Sequence, residues 1–191
     1  YFKVLLSNKL NFIVSNYEKA NNIKKYTRNK VYLAPLPFYF YYNNSLCPSI
    51  QSDKKDKLLV MPAKTLNFAN LNKKNFYYYQ KEFIKNILDF KNEFKEIVIC
   101  VHSNDFNEWK NIIGKNKIKI IGGANPLDIN SYKRMHQIFS NFEYMTTNYF
   151  GSHIVYAACM GIKVSLNSEL IDYKIDESKI ISHYSKLNKL E

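Results

Sequence analysis

From Leu58 onward, apolar residues follow two alternating patterns: short continuous runs, and longer stretches with an apolar position every third or fourth residue. The runs are Leu58–Met61, Glu96–Val101, Lys117–Ile121, Glu143–Thr146 and Ile162–Leu166. They are short enough for strands, and Glu96–Val101 is too apolar to alternate, as a strand buried on both faces requires. Between the runs, Asn75–Phe94 places Phe76, Tyr79, Phe83, Ile87, Phe90 and Phe94 on one helical stripe. Phe106–Ile113 predicts a helix stopped by Gly114, and Asp128 is placed to cap a helix running through Phe139. A further helix of two to three turns is expected between Ser152 and Gly161. The order βαβαβαβαβ with short connections predicts an α/β fold, a Rossmann-like parallel sheet with helices on both faces and right-handed crossovers.

Upstream, Leu10–Ser15 and Lys30–Ala34 read as strands, separated by a helix-like stretch that Asn16 and Tyr17 open and that runs through Ala20, Ile23 and Tyr26. Pro35 and Pro37 force an extended exit. The polar and aromatic stretch that follows reads as a linker. The expected division is 1–38 as the end of an N-terminal domain, 39–56 as a linker, 57–168 as an α/β domain and 169–191 as a tail or helix. A chain that starts at Tyr1 and closes in a Lys-rich polar run reads as a fragment or a trimmed chain.

Composition changes this picture only at the margins. The 191 residues are 46% hydrophobic and 16% aromatic, which excludes a disordered chain. Lys and Arg number 28 against 16 acids, a net charge of +12, which admits anionic partners. The excess is nearly all Lys, spread along the chain beside many Asn, Ile and Tyr, as AT-rich coding bias produces. Cys47, Cys100 and Cys159 are odd in number and form no CxxC, so buried thiols in a reducing compartment are expected, with no zinc site. The apolar runs fall far short of the roughly 20 residues of a spanning helix, and Tyr1–Leu6 is too short for a signal peptide. The expected location is the cytoplasm, with the inner face of the membrane as an alternative.

In a parallel α/β sheet the loops at the carboxyl ends of the strands carry function. Here those ends bring Pro62–Thr65, His102–Asp105, Gly122–Asn125 and Thr146–His153 to one edge, and all four are small or polar. Gly151, Ser152 and His153 offer backbone N–H groups, a hydroxyl and an imidazole at a helix start, suited to a diphosphate, with an ordinary N-cap as the alternative. Lys64 and Thr65 add a cation and a hydroxyl, or a plain surface lysine. Gly122 and Gly123 allow close approach of a base or ribose, or form a tight turn; His102 is either a site residue or a structural one. Thr147 and Asn148 belong to the same candidate set. No GxGxxG, GxxxxGK[ST], GxSxG or HExxH pattern occurs. Trp109 and the tyrosine clusters could stack bases on a basic surface, or lie in the core.

The stretch Glu143–Leu166 resembles the donor-binding half of GT-B-fold glycosyltransferases and the related nucleotide-sugar 2-epimerases. A family pattern G-[ST]-x-x-x-E-A-x-x-x-G-x-P-V falls on Gly151, Ser152, Tyr156, Ala157, Gly161, Lys163 and Val164. Tyr156 stands where the family has a ribose-binding glutamate, and Lys163 where it has proline. The resemblance implies one half of a GT-B fold plus the end of the other half, most similar to bacterial surface-polysaccharide transferases. It implies transfer of a sugar from a nucleotide-diphosphate donor to a glycan or lipid-linked acceptor, with no metal or other cofactor, peripheral membrane association and no nucleic acid. The general base belongs to the other half in that family, so the catalytic residues are unassigned and this chain alone is expected to bind without turning over. The alternatives are an epimerase of related fold and a basic nucleic-acid-binding module.

Overall fold

Each expected strand and helix begins or stops where the backbone finds a cap or a turn, and the computed structural model shows where those points fall. It describes residues 11–36, 38–39, 54–64, 73–114, 116, 118–125 and 127–167. The expected tail 169–191 and most of the expected linker lie outside them. The chain divides into two units, Tyr1–Cys47 and Pro48–Glu191.

In the first unit, β1 (Phe12–Val14) leads to α1 (Tyr17–Lys24) and then to β2 (Val31–Leu33), parallel to β1 with Ile13 opposite Tyr32. Asn16 caps α1, its side chain accepting the Lys19 N–H at 2.8 Å.

The second unit carries β3 (Lys57–Met61), α2 (Lys73–Asp89), β4 (Glu96–Val101), α3 (Phe106–Ile113), β5 (Lys119–Gly122), α4 (Ser131–Phe139), β6 (Tyr144–Thr147), α5 (Ser152–Cys159) and β7 (Lys163–Leu166). All five strands are parallel, in the order β5-β4-β3-β6-β7. The chain moves outward from β3 through β4 to β5, then returns past β3 to lay down β6 and β7. Strand order therefore reverses between β3 and β6, the point at which sheets of this kind open a crevice at their carboxyl edge.

Consecutive strand residues face opposite sides, and both sides are covered. Leu58 and Val60 of β3 join Ile99 and Val101 of β4 in one core, closed by Phe83, Ile84 and Ile87 of α2 and by Trp109 and Ile113 of α3. Each such buried side chain contributes about 1.5–3 kcal/mol. On the other face lie Leu59, Val98, Cys100 and Met145, with Met135 and Phe139 of α4 buried on the same side of the unit. A methyl group built on Gly123 would meet Cys100 Sγ and Met135 Sδ, which locates α4 over that face.

Several expected boundaries move. The stripe Asn75–Phe94 is not one helix: α2 ends at Asp89 and a 3-10 turn, Lys91–Glu93, follows. The apolar spacing persists to Phe94 because its ring packs edge-on against Tyr144, with centroids 5.6 Å apart. Asp128 does not cap α4. The cap position is Asn130, and the Asp128 carboxylate instead accepts the Asn130 N–H at 2.9 Å and pairs with Arg134. Gly114 ends α3 with φ +57°, a conformation other residues rarely adopt. Among the described residues, no helix is long and apolar enough to cross a membrane.

Candidate functional site

Four of the five strands end at one crevice of about 200 Å³. β3 contributes Met61 and the loop residues Pro62 and Lys64; β4 contributes Cys100, Val101 and His102. Gly123 and Ala124 follow β5, and Met135 reaches in from α4. Tyr149, Ser152, His153 and Tyr156 close it from the turn after β6 and the first turns of α5. The crevice thus takes residues from both sides of the strand-order reversal.

The structure brings Lys64, His102, Gly123, Ser152, His153 and Tyr156 together around this space. Thr65 lies outside the described residues. Gly122 is the last residue of β5, opposite Val101, and does not line the crevice; a methyl group on it would meet nothing within 4 Å. Gly123 has the opposite surroundings, for a methyl group there would sit 2.8 Å from Cys100 Sγ and 3.3 Å from the Val101 carbonyl. Its glycine is required by packing of the wall.

Gly151 and Ser152 differ from expectation in a related way. The N-cap of α5 is Gly151, and no side chain caps the helix, so the Ser152 hydroxyl is not the cap. Ser152 is the first helical residue and is exposed, which leaves its hydroxyl at the rim beside uncapped backbone N–H groups. Gly151 itself is extended, at φ −168°, which any residue can adopt. What it lacks is room: a methyl group would stand 2.8 Å from His153 Nδ1 and 3.0 Å from the Tyr149 ring.

That ring and the His153 imidazole are stacked at 4.5 Å between centroids. His153 Nε2 lies 3.0 Å from the Thr147 hydroxyl, and Nδ1 is buried without a hydrogen-bond partner. Burial pushes the imidazole pKa down to about 4, so it is neutral at pH 7. Burial also pushes the Tyr149 phenol up to about 12, with Cys100 adding to the shift, and burial pushes the Cys100 thiol up to about 12. Three ionisable groups on one wall are held in their uncharged forms. His102 Nδ1 accepts the Asn104 N–H at 3.3 Å, which leaves its other ring nitrogen to carry a proton.

Thr147 and Asn148 face inward and act on the fold. Thr147 positions His153. Asn148, fully buried, accepts the Ala63 N–H at 2.8 Å and donates to Gln80 at 3.2 Å, while Gln80 donates to the Ala63 carbonyl at 3.0 Å. Its amide ties the end of β6 to the loop after β3 and to α2, so it holds the crevice open at the correct place and does not line it. Lys163, in the position where the resemblance expects proline, sits at the other end of the sheet. Its ammonium bonds Glu143 at 2.9 Å and lies over the Tyr144 ring, while the second Glu143 oxygen accepts the Asp56 N–H at 3.1 Å.

Met61, Cys100, Val101 and Met135 line the crevice without having been anticipated, whereas Pro62, Ala124 and Tyr149 enter it from the loops expected at this edge, though none of the three was singled out. The signal was present in the strand register, since residues at the carboxyl end of a strand and in its first loop position share that edge. Among the described residues no carboxylate lines the crevice, and no group of three or more His, Cys, Asp or Glu could hold a metal ion. Comparison of the chain with protein-family models, with curated proteins and with solved structures found no match.

Proposed function

We propose that the Pro48–Glu191 unit is the nucleotide-sugar-binding unit of a GT-B-type glycosyltransferase, taking a nucleotide-diphosphate donor whose sugar passes to a glycan or lipid-linked acceptor. The observation that carries this reading is the crevice at the strand-order reversal, which opens beside the uncapped amino end of α5. Backbone N–H groups there, the exposed Ser152 hydroxyl and the exposed Lys64 ammonium are suited to the phosphates. The described residues of the lining include no carboxylate, so none of them repels a diphosphate. Tyr156 lines the crevice where the family pattern has its ribose-binding glutamate, and a phenol can donate to or accept from a ribose hydroxyl.

The test is thermal stabilisation of the 191-residue chain by UDP, GDP, ADP, CDP and CMP, without added metal. A bound nucleotide at a hundredfold excess over its Kd adds about 2.7 kcal/mol of stability. Saturable stabilisation by one nucleotide, little changed by moderate salt, supports the reading. Stabilisation by none of them, with single-stranded RNA binding that collapses as salt rises, would establish a basic nucleic-acid binder instead.

A further inference from the structure

We propose that the chain has a second small-molecule site, at the amino edge of the sheet, which takes an anion: a phosphate or carboxylate head carried on a compact, partly apolar body. A cavity of about 360 Å³ opens there between the first residues of β3, β4 and β5 and the later turns of α4. It shares no lining residue with the crevice at the opposite edge, and its size falls within the roughly 300–1,000 Å³ of sites that enclose a small ligand. Its occupancy does not depend on a nucleotide in the crevice.

Charge points to the head group. Lys57 and Lys119 lie on either side of β4, and Arg134 joins them from α4. Against these three cations the described lining sets one carboxylate, Glu96, which is 3.8 Å from Lys57. Arg134 is paired with Asp128, outside the lining. Lys119 pairs with no acid among the described residues, so one positive charge is left over at the cavity. A single surplus charge fits the head of a small molecule, whereas a nucleic-acid backbone needs several.

Hydrogen-bonding capacity is left over as well. The Lys57–Glu96 contact is longer than a hydrogen bond, so the ammonium keeps its donors. Asp128 engages one nitrogen of the Arg134 guanidinium, which fixes its position and leaves the other N–H groups of the fork available. The Gln137 side-chain amide makes no hydrogen bond to another described residue. The end of α4 would repel an anion if its carbonyls were bare. They are occupied: those of His136, Gln137, Ile138 and Phe139 each accept a hydrogen bond from Ser140, Asn141 or Phe142. The floor decides the body of the ligand. Ile121 and Ile138 line the cavity and are only half-buried, and an apolar body covers them where a bare inorganic ion leaves them wet.

The experiment uses the full 191-residue chain in calorimetric titrations with phenyl phosphate, benzoate, inorganic phosphate and neutral benzamide. Phenyl phosphate or benzoate is expected to bind about tenfold or more tightly than both benzamide and inorganic phosphate, and whichever binds identifies the head group. Lys119→Glu, at an exposed position, is expected to weaken that ligand about tenfold or more, Lys119→Gln to weaken it less, and Ser152→Glu, at the crevice, to leave it unchanged. On saturation, the backbone amide resonances of Val98, Ile121 and Asn141 are expected to shift, and those of Gly123 and Tyr149 in the crevice to stay in place. The second site is refuted if neither organic anion binds, or if benzamide binds as tightly as they do. It is equally refuted if inorganic phosphate matches phenyl phosphate, which would mean an adventitious ion only, or if the shifted resonances are those of the crevice.

Discussion

Asn148 and Gln80, 68 residues apart in the chain, meet in a fully buried amide–amide hydrogen bond of 3.2 Å. Each also holds one backbone group of Ala63, so three segments share one closed polar network. Removing one member leaves buried donors and acceptors unpaired. Asn148→Ala and Gln80→Ala are each expected to lower stability by about 2–3 kcal/mol. The double variant should cost clearly less than the sum, because the second loss removes groups already stranded by the first. Urea midpoints check this, and unchanged midpoints would show that the network is not what positions the loop.

Gly123→Ala is expected to destabilise the chain by about 1–3 kcal/mol, since its methyl group would be forced against Cys100 Sγ. The same substitution in a Cys100→Ala background should cost less, as only the Val101 carbonyl then crowds the site. Equal costs in both backgrounds, measured by chemical denaturation, would rule out sulfur crowding as the cause.

The buried His153 predicts a pH dependence with a definite sign. Its folded pKa of about 4 lies below the ordinary 6.5, so the unfolded chain binds the extra proton between those values. Stability is therefore complete above about pH 6.5 and falls as pH drops toward 4, by up to about 3 kcal/mol. His153→Gln should flatten this part of the profile. A profile that is identical in the variant would place the acid sensitivity elsewhere.

Glu143→Gln is expected to give a small loss of stability, since the Lys163 pair that it breaks is at the surface. The difference from the parent should shrink at high salt, because screening weakens the intact pair. A salt-independent loss would assign the effect to the Asp56 hydrogen bond instead.

Much of the fold is legible in the sequence because the two periodicities are strong. Phe106–Ile113 with its stop at Gly114 comes directly from the pattern, as does the parallel succession of strands after Leu58. What escapes is whatever depends on contacts distant in sequence. Asn148 looks like a ligand residue until Ala63 and Gln80 are brought beside it. Ser152 has the right chemistry for a cap, but whether it becomes one depends on where the backbone turns, and here the turn falls one residue earlier. Gly123 and Gly151 look like places for a ligand to approach the backbone, whereas side chains of the protein already crowd against both. The apolar half of the crevice was hidden for a simpler reason: Met61, Cys100 and Met135 are indistinguishable from core residues until the sheet edge is known.

Trp109, in the core between α2, α3 and the sheet and not on a surface where it could stack bases, is the single tryptophan of the chain and is 1% exposed. Its emission should be blue-shifted in the native protein and move to the red when the Pro48–Glu191 unit opens. Tryptophan fluorescence is thus an optical probe confined to that unit, while far-ultraviolet circular dichroism sums over both. Disagreement between the two signals during unfolding would show the units melting separately, without any label being attached.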